Sequence, residues 1–302
     1  MEHRPQSFKE ELISISRKYN IRLSKKAGQC VLIDKNIANY IIKEAELTKK
    51  DTIYEIGPGF GFLTEQIIPK VEKVIIIEKD VKLANYLREK FSEYTNIEII
   101  QGDALKFEFP EYTKLISNVP YHISGPLIQR IIMSGQKKAS KIILMLQQEF
   151  IDRMRSQPKP KNYGRLSVIS SLFFDIKYLK KIPPSVFYPR PSVQSGVIEI
   201  RFKDQQNIPS ILNDFSNRIA FFEFLSGIFP YKNKLINKSL SFFFKNLERG
   251  HINYSESTMR RFSVGKARFK SYKSEILKNT GNKRLWGLKP EEIVSIFSDL
   301  FF

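Results

Sequence analysis

The chain is poor in the residues that metal, redox and nucleophilic enzymes rely on. Among 302 residues it has one cysteine and three histidines. The lone thiol, Cys30, excludes an internal disulfide and fits a reducing compartment. His3, His122 and His251 stand far apart without metal-ligand spacing, so no metal is expected. No apolar run approaches the roughly 20 residues that a membrane span requires. Residues 1–20 carry charge throughout and lack the apolar segment of a signal peptide. Internal repeats are absent as well. These absences lead to an expectation of a soluble, cytoplasmic protein, monomeric by default, with no membrane contact. Acidic residues are also scarce: 31 Asp and Glu face 50 Lys and Arg, a formal charge of +19. Such an excess points to a polyanionic partner, most simply nucleic acid. A basic composition without a partner is the alternative, in a chain rich in Lys, Ile, Asn and Phe.

The remaining composition, 42% apolar and 13% aromatic, suits a packed globular chain. Apolar periodicity predicts a helix over 7–19, then one over 35–45 with Asp34 as its N-cap. Strands over 52–56, 73–77, 97–101, 115–118 and 142–147 then alternate with helices over 63–68, 81–91, 126–134 and 149–155. This alternation indicates a doubly wound, mostly parallel α/β sheet. Residues 176–182 and 195–202 read as late, antiparallel strands separated by a proline-rich turn. After a polar linker at 203–209 only helical periodicity remains, over 219–229, 234–247, 257–262 and 290–301. The expected domains are therefore 1–203 and a smaller, all-helical 204–302.

The most informative motif is Asn118-Val119-Pro120-Tyr121 at the end of a predicted strand. An asparagine amide oxygen and a carbonyl preceding proline can both accept from one planar NH₂ group, and the tyrosine offers a face for a base. An adenine 6-amino group is a poor nucleophile because its lone pair is delocalised into the ring. Two acceptors on its hydrogens draw the nitrogen towards tetrahedral geometry and restore that lone pair, with no Asp, His or Cys base required. Alone, the motif is also compatible with an ordinary turn.

Upstream, Glu55-Ile56-Gly57-Pro58-Gly59-Phe60-Gly61 joins the first strand to a helix, where glycines let a ligand approach the backbone. Its G-x-G-x-G spacing differs from the dinucleotide pattern G-x-G-x-x-G. Glu78 ends the next strand about twenty residues on, where a carboxylate accepts both hydroxyls of a ribose. Asp103 follows the third strand, placed to accept from an adenine amine. Glycines, Glu78, Asp103 and Asn118 thus converge on the carboxyl edge of one sheet. The ligand is NAD or S-adenosylmethionine. No hydride-transfer partner follows but an amine-holding motif does, which selects S-adenosylmethionine.

With these residues in place the chain resembles the small-subunit ribosomal RNA adenine dimethyltransferase family, in a form most like its archaeal members. The resemblance runs from about residue 25 to Phe202. It rests on Gly28-Gln29-Cys30-Val31-Leu32-Ile33-Asp34, the Glu55–Gly61 turn, Glu78-Lys79-Asp80, Gly102-Asp103-Ala104-Leu105, the Asn118 motif, Gln148-Glu149, Tyr163-Gly164-Arg165 and Phe187-Tyr188-Pro189-Arg190-Pro191. It weakens afterwards to Phe229-Pro230-Tyr231-Lys232-Asn233-Lys234, similar to the family's helical second domain.

The resemblance implies a Rossmann-like class I methyltransferase sheet that adds two methyl groups to each of two adjacent adenosines near the 3′ end of small-subunit RNA. It also implies a part in small-subunit biogenesis, with ribosomal RNA in an immature subunit as partner. The cofactor residues it marks are Gln29, Cys30, Leu32, Glu55, Gly57, Gly59, Glu78, Lys79, Asp103, Ala104 and Asn118. The catalytic set is Asn118, Val119, Pro120, Tyr121 and Phe187, with Phe187 stacking on the base opposite Tyr121. Three residues depart from the family pattern: Val31 for Phe, Val119 for Leu, and Lys79 for an apolar residue.

RNA backbone contacts are expected from Arg22, Lys25, Lys26, Arg153, Arg155, Lys159, Lys161 and Arg165 around the site. A second set, Arg260, Arg261, Lys266, Arg268, Lys270 and Lys273, interleaves with Phe262, Phe269 and Tyr272, a mix suited to phosphate contact plus base stacking. The rival readings are an adenine methyltransferase acting on large-subunit RNA or DNA, and an assembly or transcription factor that binds RNA on this fold without essential catalysis.

Overall fold

The computed structural model describes residues 8–21, 23, 30–134, 139–249, 254, 256–280 and 282–302, with the backbone alone for 257, 270, 273–275, 277 and 279. Residues 1–151 with 176–201 form one compact unit, and residues 152–175 with 202–302 form another. The second crossing lies beside the expected break at 203/204. The stretch 152–175, read from sequence as part of the first domain, makes its contacts with the helical unit instead.

The first unit begins with α1 (Phe8–Lys18), β1 (Val31–Leu32) and α2 (Lys35–Ala45). It continues through β2 (Thr52–Ile56), α3 (Phe62–Ile67), β3 (Lys73–Glu78), α4 (Val81–Lys90), β4 (Ile97–Gln101) and β5 (Lys114–Asn118). Then come α5 (Ser124–Ser134), β6 (Lys141–Gln147) and α6 (Gln148–Met154), and after α7 (Arg165–Phe173), β7 (Phe174–Ile182), β8 (Phe187–Tyr188) and β9 (Ser195–Phe202). A seven-stranded sheet runs in the order β4-β3-β2-β5-β6-β9-β7. Its strands β4 to β6 are mutually parallel, and β9 is antiparallel to β6.

Local chemistry accounts for these elements. β3 reads Lys-Val-Ile-Ile-Ile-Glu and is buried from Val74 onward, as expected for a parallel strand covered on both faces. Edge strand β4 has no fully buried residue: its three isoleucines are half-buried and Glu98 and Gln101 are exposed. Asp34 caps α2 by accepting from the Asn36 and Ile37 amides, and Asp80 caps α4 by accepting from those of Lys82 and Leu83. The chain leaves β2 for β3 on one side and returns to β5 on the other, so the strand order reverses between β2 and β5. A crevice opens at the carboxyl ends of strands at such a reversal. A separate two-stranded ribbon pairs β1 with β8, Val31 opposite Tyr188 and Leu32 opposite Phe187.

The second unit is helical beyond the sheet: α7, α8 (Phe215–Ile228), α9 (Ile236–Glu248), α10 (Glu256–Thr280) and α11 (Pro290–Phe301). Its core is an aromatic cluster in which Phe224 meets Phe243 and Phe301 edge-on, each at 5.4 Å, and Phe297 in a tilted contact at 5.5 Å. Edge-to-face contacts at such separations are favoured by the ring quadrupoles. Two corrections to the sequence reading arise here. Helix α10 runs from Glu256 to Thr280, far beyond the predicted 257–262, and α7 was not anticipated.

Candidate active site

At the reversal point a cavity of about 420 Å³ opens at the carboxyl edge of the sheet. Its wall includes Cys30, Val31 and Leu32, the Glu55–Gly59 turn, Glu78, Lys79, Asp103, Ala104 and Asn118-Val119-Pro120. The parallel register puts the ends of β2, β3, β4 and β5 side by side, and this brings residues distant in sequence to one rim.

The turn after β2 requires glycine. Gly57 and Gly59 have φ of +64° and +60°, in the left-handed region that side chains rarely adopt. A Cβ on Gly57 would also lie 3.0 Å from Pro120 Cγ, so this glycine lets the β2 turn and the β5 turn close on one another. The backbone is held by the Gly57 amide, which donates to the Ile77 carbonyl at 2.9 Å.

Two carboxylates are buried beside the cavity. Glu55 accepts from Thr64 Oγ1 at 2.6 Å, and burial pushes its pKa up to about 8. Glu78 accepts from the Asp80 amide at 2.9 Å and the Gly59 amide at 3.4 Å, and burial again raises its pKa despite those donors. No lysine or arginine faces either one in an ion pair among the described residues. Asp103 differs. It is more exposed, accepts from the Leu105 amide at 2.9 Å and pairs with Lys79 Nζ at 2.9 Å, and the Lys79 hydrogen bond foremost holds its carboxyl below the usual range. Lys79, the departure from the family pattern, thus engages the residue expected to read an adenine amine.

Asn118 donates through Nδ2 to the Cys30 carbonyl at 3.1 Å. This bond orients the amide and leaves Oδ1 as an acceptor. The Val119 amide donates to the Met145 carbonyl at 3.2 Å, fixing the next peptide unit. Tyr121 is half-buried, and its hydroxyl shares a 2.7 Å hydrogen bond with Ser195 Oγ at the start of β9. Burial raises the Tyr121 pKa, so its ring is held in place as a neutral phenol.

Gln29, with Gly28 and the basic residues Arg22, Lys25 and Lys26, lies outside the described residues, as do the side chains of Lys270 and Lys273. Phe187 is elsewhere than expected. It is 2% exposed, in β8, packed into the core with Leu32 and Ile182, and it does not line the cavity. With no face open to a base, it cannot stack opposite Tyr121 in this arrangement. Phe262 and Phe269 are likewise buried in the helical unit, at 1% and 8% exposure, so two of the three aromatics interleaved with the α10 cations are core residues, while Tyr272 is half-buried. Arg153, Arg155, Lys159, Lys161 and Arg165 are exposed, and all belong to the helical unit.

Sequence reasoning missed Thr64, which holds Glu55, and Ser195, which holds Tyr121, because neither carries a pattern of its own. It also missed His122, an exposed residue on the cavity rim directly after Tyr121, set aside because it lacked metal spacing. Phe62, Leu83 and Ile77 complete the apolar wall and look like any core residue in sequence.

The donor set fits S-adenosylmethionine. A buried carboxylate beside a glycine cradle suits a ribose diol, Asp103 with the backbone near Ala104 suits an adenine edge, and an acceptor-rich wall favours a cationic ligand.

Comparison with known proteins agrees with this geometry. The sequence profile of the family described as ribosomal RNA adenine dimethylase matches residues 20–277. The probable ribosomal RNA small subunit methyltransferase A of Thermococcus onnurineus is 33% identical over 290 residues, covering 96% of both chains. That of Methanosarcina barkeri is 40% identical over 227 residues, 75% of this chain and 76% of its own. Among solved structures, a dimethyladenosine transferase from Plasmodium falciparum superposes with a TM-score of 0.69 at 26% identity, covering 90% of this chain and 100% of that one. Among the described residues no helix is long and apolar enough to cross a membrane.

Proposed function

The chain belongs to the ribosomal RNA adenine dimethylase family, and from that premise we propose that its Asn118 edge holds the 6-amino group of a target adenosine for methylation. The enzyme is an S-adenosylmethionine-dependent ribosomal RNA adenine methyltransferase. Its proposed targets are two adjacent adenosines near the 3′ end of small-subunit RNA, met in an immature subunit in the cytoplasm by a monomeric enzyme. The observation that carries this reading is the oriented Asn118 amide, whose Nδ2 is committed to the Cys30 carbonyl while Oδ1 remains to accept at the cavity rim.

The bound cofactor supplies a methyl group on a sulfonium, activated for displacement. Glu78 would take the ribose hydroxyls and Asp103 the adenine amine. Cys30, Leu32, Gly57, Gly59 and Ala104 shape the walls. Asn118 Oδ1 and the Val119 carbonyl accept from the target amine and concentrate its lone pair for in-line attack, with Tyr121 against the base. Pro120 fixes the turn that aims the Val119 carbonyl. The proton leaves to solvent once the nitrogen has become cationic, so rate comes from positioning and charge stabilisation. Entry of the base into the site requires unstacking, at a cost of a few kcal/mol.

The test is transfer of tritiated methyl groups to small subunits that lack the 3′-end dimethyladenosines, followed by nuclease digestion and mass analysis. Dimethyladenosine at two neighbouring positions is the expected product. Tight subunit binding without incorporation would favour the assembly-factor reading, and incorporation only into large-subunit RNA would redirect the specificity.

A further inference from the structure

The burial of Phe262 and Phe269 removes two of the three rings expected to stack on α10, and the helical unit presents an exposed ring elsewhere. Tyr231, in the turn before α9, stacks on Phe242 with ring centroids 4.8 Å apart and planes 16° from parallel. Phe242 remains 40% exposed, an unusual position for a phenylalanine with a large buried aromatic core a few residues away. The pair is braced from the same helix: Asn246 Nδ2 donates to the Tyr231 hydroxyl at 2.7 Å. Positions 238, 242, 245 and 246 fall on one face of α9 by helical spacing, so Lys238 and Lys245 flank the ring, and both are exposed. Lys234, three residues beyond Tyr231, is exposed as well. The acidic residue at the end of the helix, Glu248, is engaged by Lys266.

We propose that Phe242, buttressed by Tyr231, is a stacking platform for an unpaired base of single-stranded RNA, with Lys234, Lys238 and Lys245 receiving the flanking phosphates. Aromatic faces bordered by cations are how sequence-tolerant single-strand contacts are built, because every base has a π-face and every linkage a negative charge. A preformed parallel stack carries little ordering cost, since one ring already holds the other in the stacking plane. The charge excess of +19 makes a polyanion the fitting occupant in preference to a protein surface. The inference rests on the RNA-methylating reading and adds to it a second contact outside the cofactor site.

The experiment measures fluorescence anisotropy of a labelled single-stranded 12-mer RNA with the full-length wild-type protein and with Phe242→Ala, Phe242→Trp and Lys238→Ala/Lys245→Ala variants, across a salt series. Binding of, and methyl transfer to, small subunits are measured in parallel. Phe242→Ala is expected to bind about tenfold more weakly with the salt slope unchanged, and Phe242→Trp to restore binding. The double lysine variant is expected to lower the slope by roughly 1.4, two single-strand phosphate contacts. Wild-type affinity in Phe242→Ala, with methyl transfer intact in the wild type, would overturn the platform and leave the methylation reading standing. Undiminished RNA binding with weaker binding to protein-containing subunits would overturn it in favour of protein docking. Loss of 12-mer binding in Phe242→Ala with no methyl transfer by the wild type would support the platform while removing the methylation reading.

Discussion

At the amino end of the parallel strands, Lys114 donates to Asp51 Oδ2 at 2.9 Å and to the Glu46 carbonyl at 2.6 Å. Asp51 also accepts from Thr48 and Thr113. Lys141 beside it donates to Glu46 at 2.6 Å and to the Glu44 carbonyl at 3.0 Å, capping the end of α2. At the carboxyl end of the same strands Glu55 and Glu78 are as deeply buried but have hydroxyl and amide donors only. The carboxyl pKa values diverge accordingly. Burial pushes Asp51 up, yet Lys114, Thr113 and Thr48 together hold it below its usual value, whereas burial prevails at Glu55 and Glu78. Buried charge with a full set of partners locks a structure together. Buried carboxylates without a cation mark the end where a cationic ligand has something to complete.

Five substitutions would break or sharpen that contrast. Asn118→Ala should lower single-turnover methyl transfer by a factor of about 10²–10³, with cofactor affinity nearly unchanged, since its acceptor acts on the transition state. Loss of cofactor binding in step with rate would assign Asn118 to the ligand instead. At the opposite end, Lys114→Ala leaves the buried Asp51 without its cation and should cost about 3 kcal/mol in urea denaturation, with cofactor affinity intact in the folded protein.

The two ends should also separate by pH. Glu55, raised from 4.5 to about 8, contributes stability that is present at low pH and lost as pH rises through about 8. Asp51, depressed below 3.8, contributes stability present above that value and lost as pH falls through its folded pKa. Thermal melting against pH should therefore lose its decline towards pH 8 in Glu55→Gln and its acid-side decline in Asp51→Asn. Coincident profiles would show that the two ends are not electrostatically distinct. The smallest effect belongs to Lys79→Leu. Its exposed pair with Asp103 adds little stability, so melting should barely move while cofactor affinity rises about threefold as Asp103 is freed for the adenine amine.

The sheet was readable because parallel strands covered on both faces leave long apolar runs, as in Val74–Ile77, and because glycines and carboxylates punctuate the strand ends. Helix α7 was not readable for the complementary reason. Leu166 to Ser170 are buried without interruption, which erases the period that marks a half-exposed helix. Helix α10 did carry a signal: Phe262, Phe269 and Ile276 recur every seven residues and are all buried. The sequence reading weighed their basic neighbours and inferred stacking, but a seven-residue apolar stripe is a core seam. For the site, every described residue assigned to the cofactor has a place on the cavity wall. Of the catalytic set, Tyr121 and Phe187 do not line that wall. Phe187 is turned into the core by the β1–β8 pairing, which joins segments more than 150 residues apart and which no local pattern announces.

The central claim is that one end of these strands binds and the other end stabilises, and calorimetric titration of S-adenosylmethionine into Glu78→Ala, Lys114→Ala and wild-type protein tests it directly. Loss of the charge-assisted ribose contacts predicts about 10- to 100-fold weaker binding in Glu78→Ala, with wild-type affinity in Lys114→Ala below its melting temperature. Unchanged affinity in Glu78→Ala, or an equal loss in both variants, would contradict it.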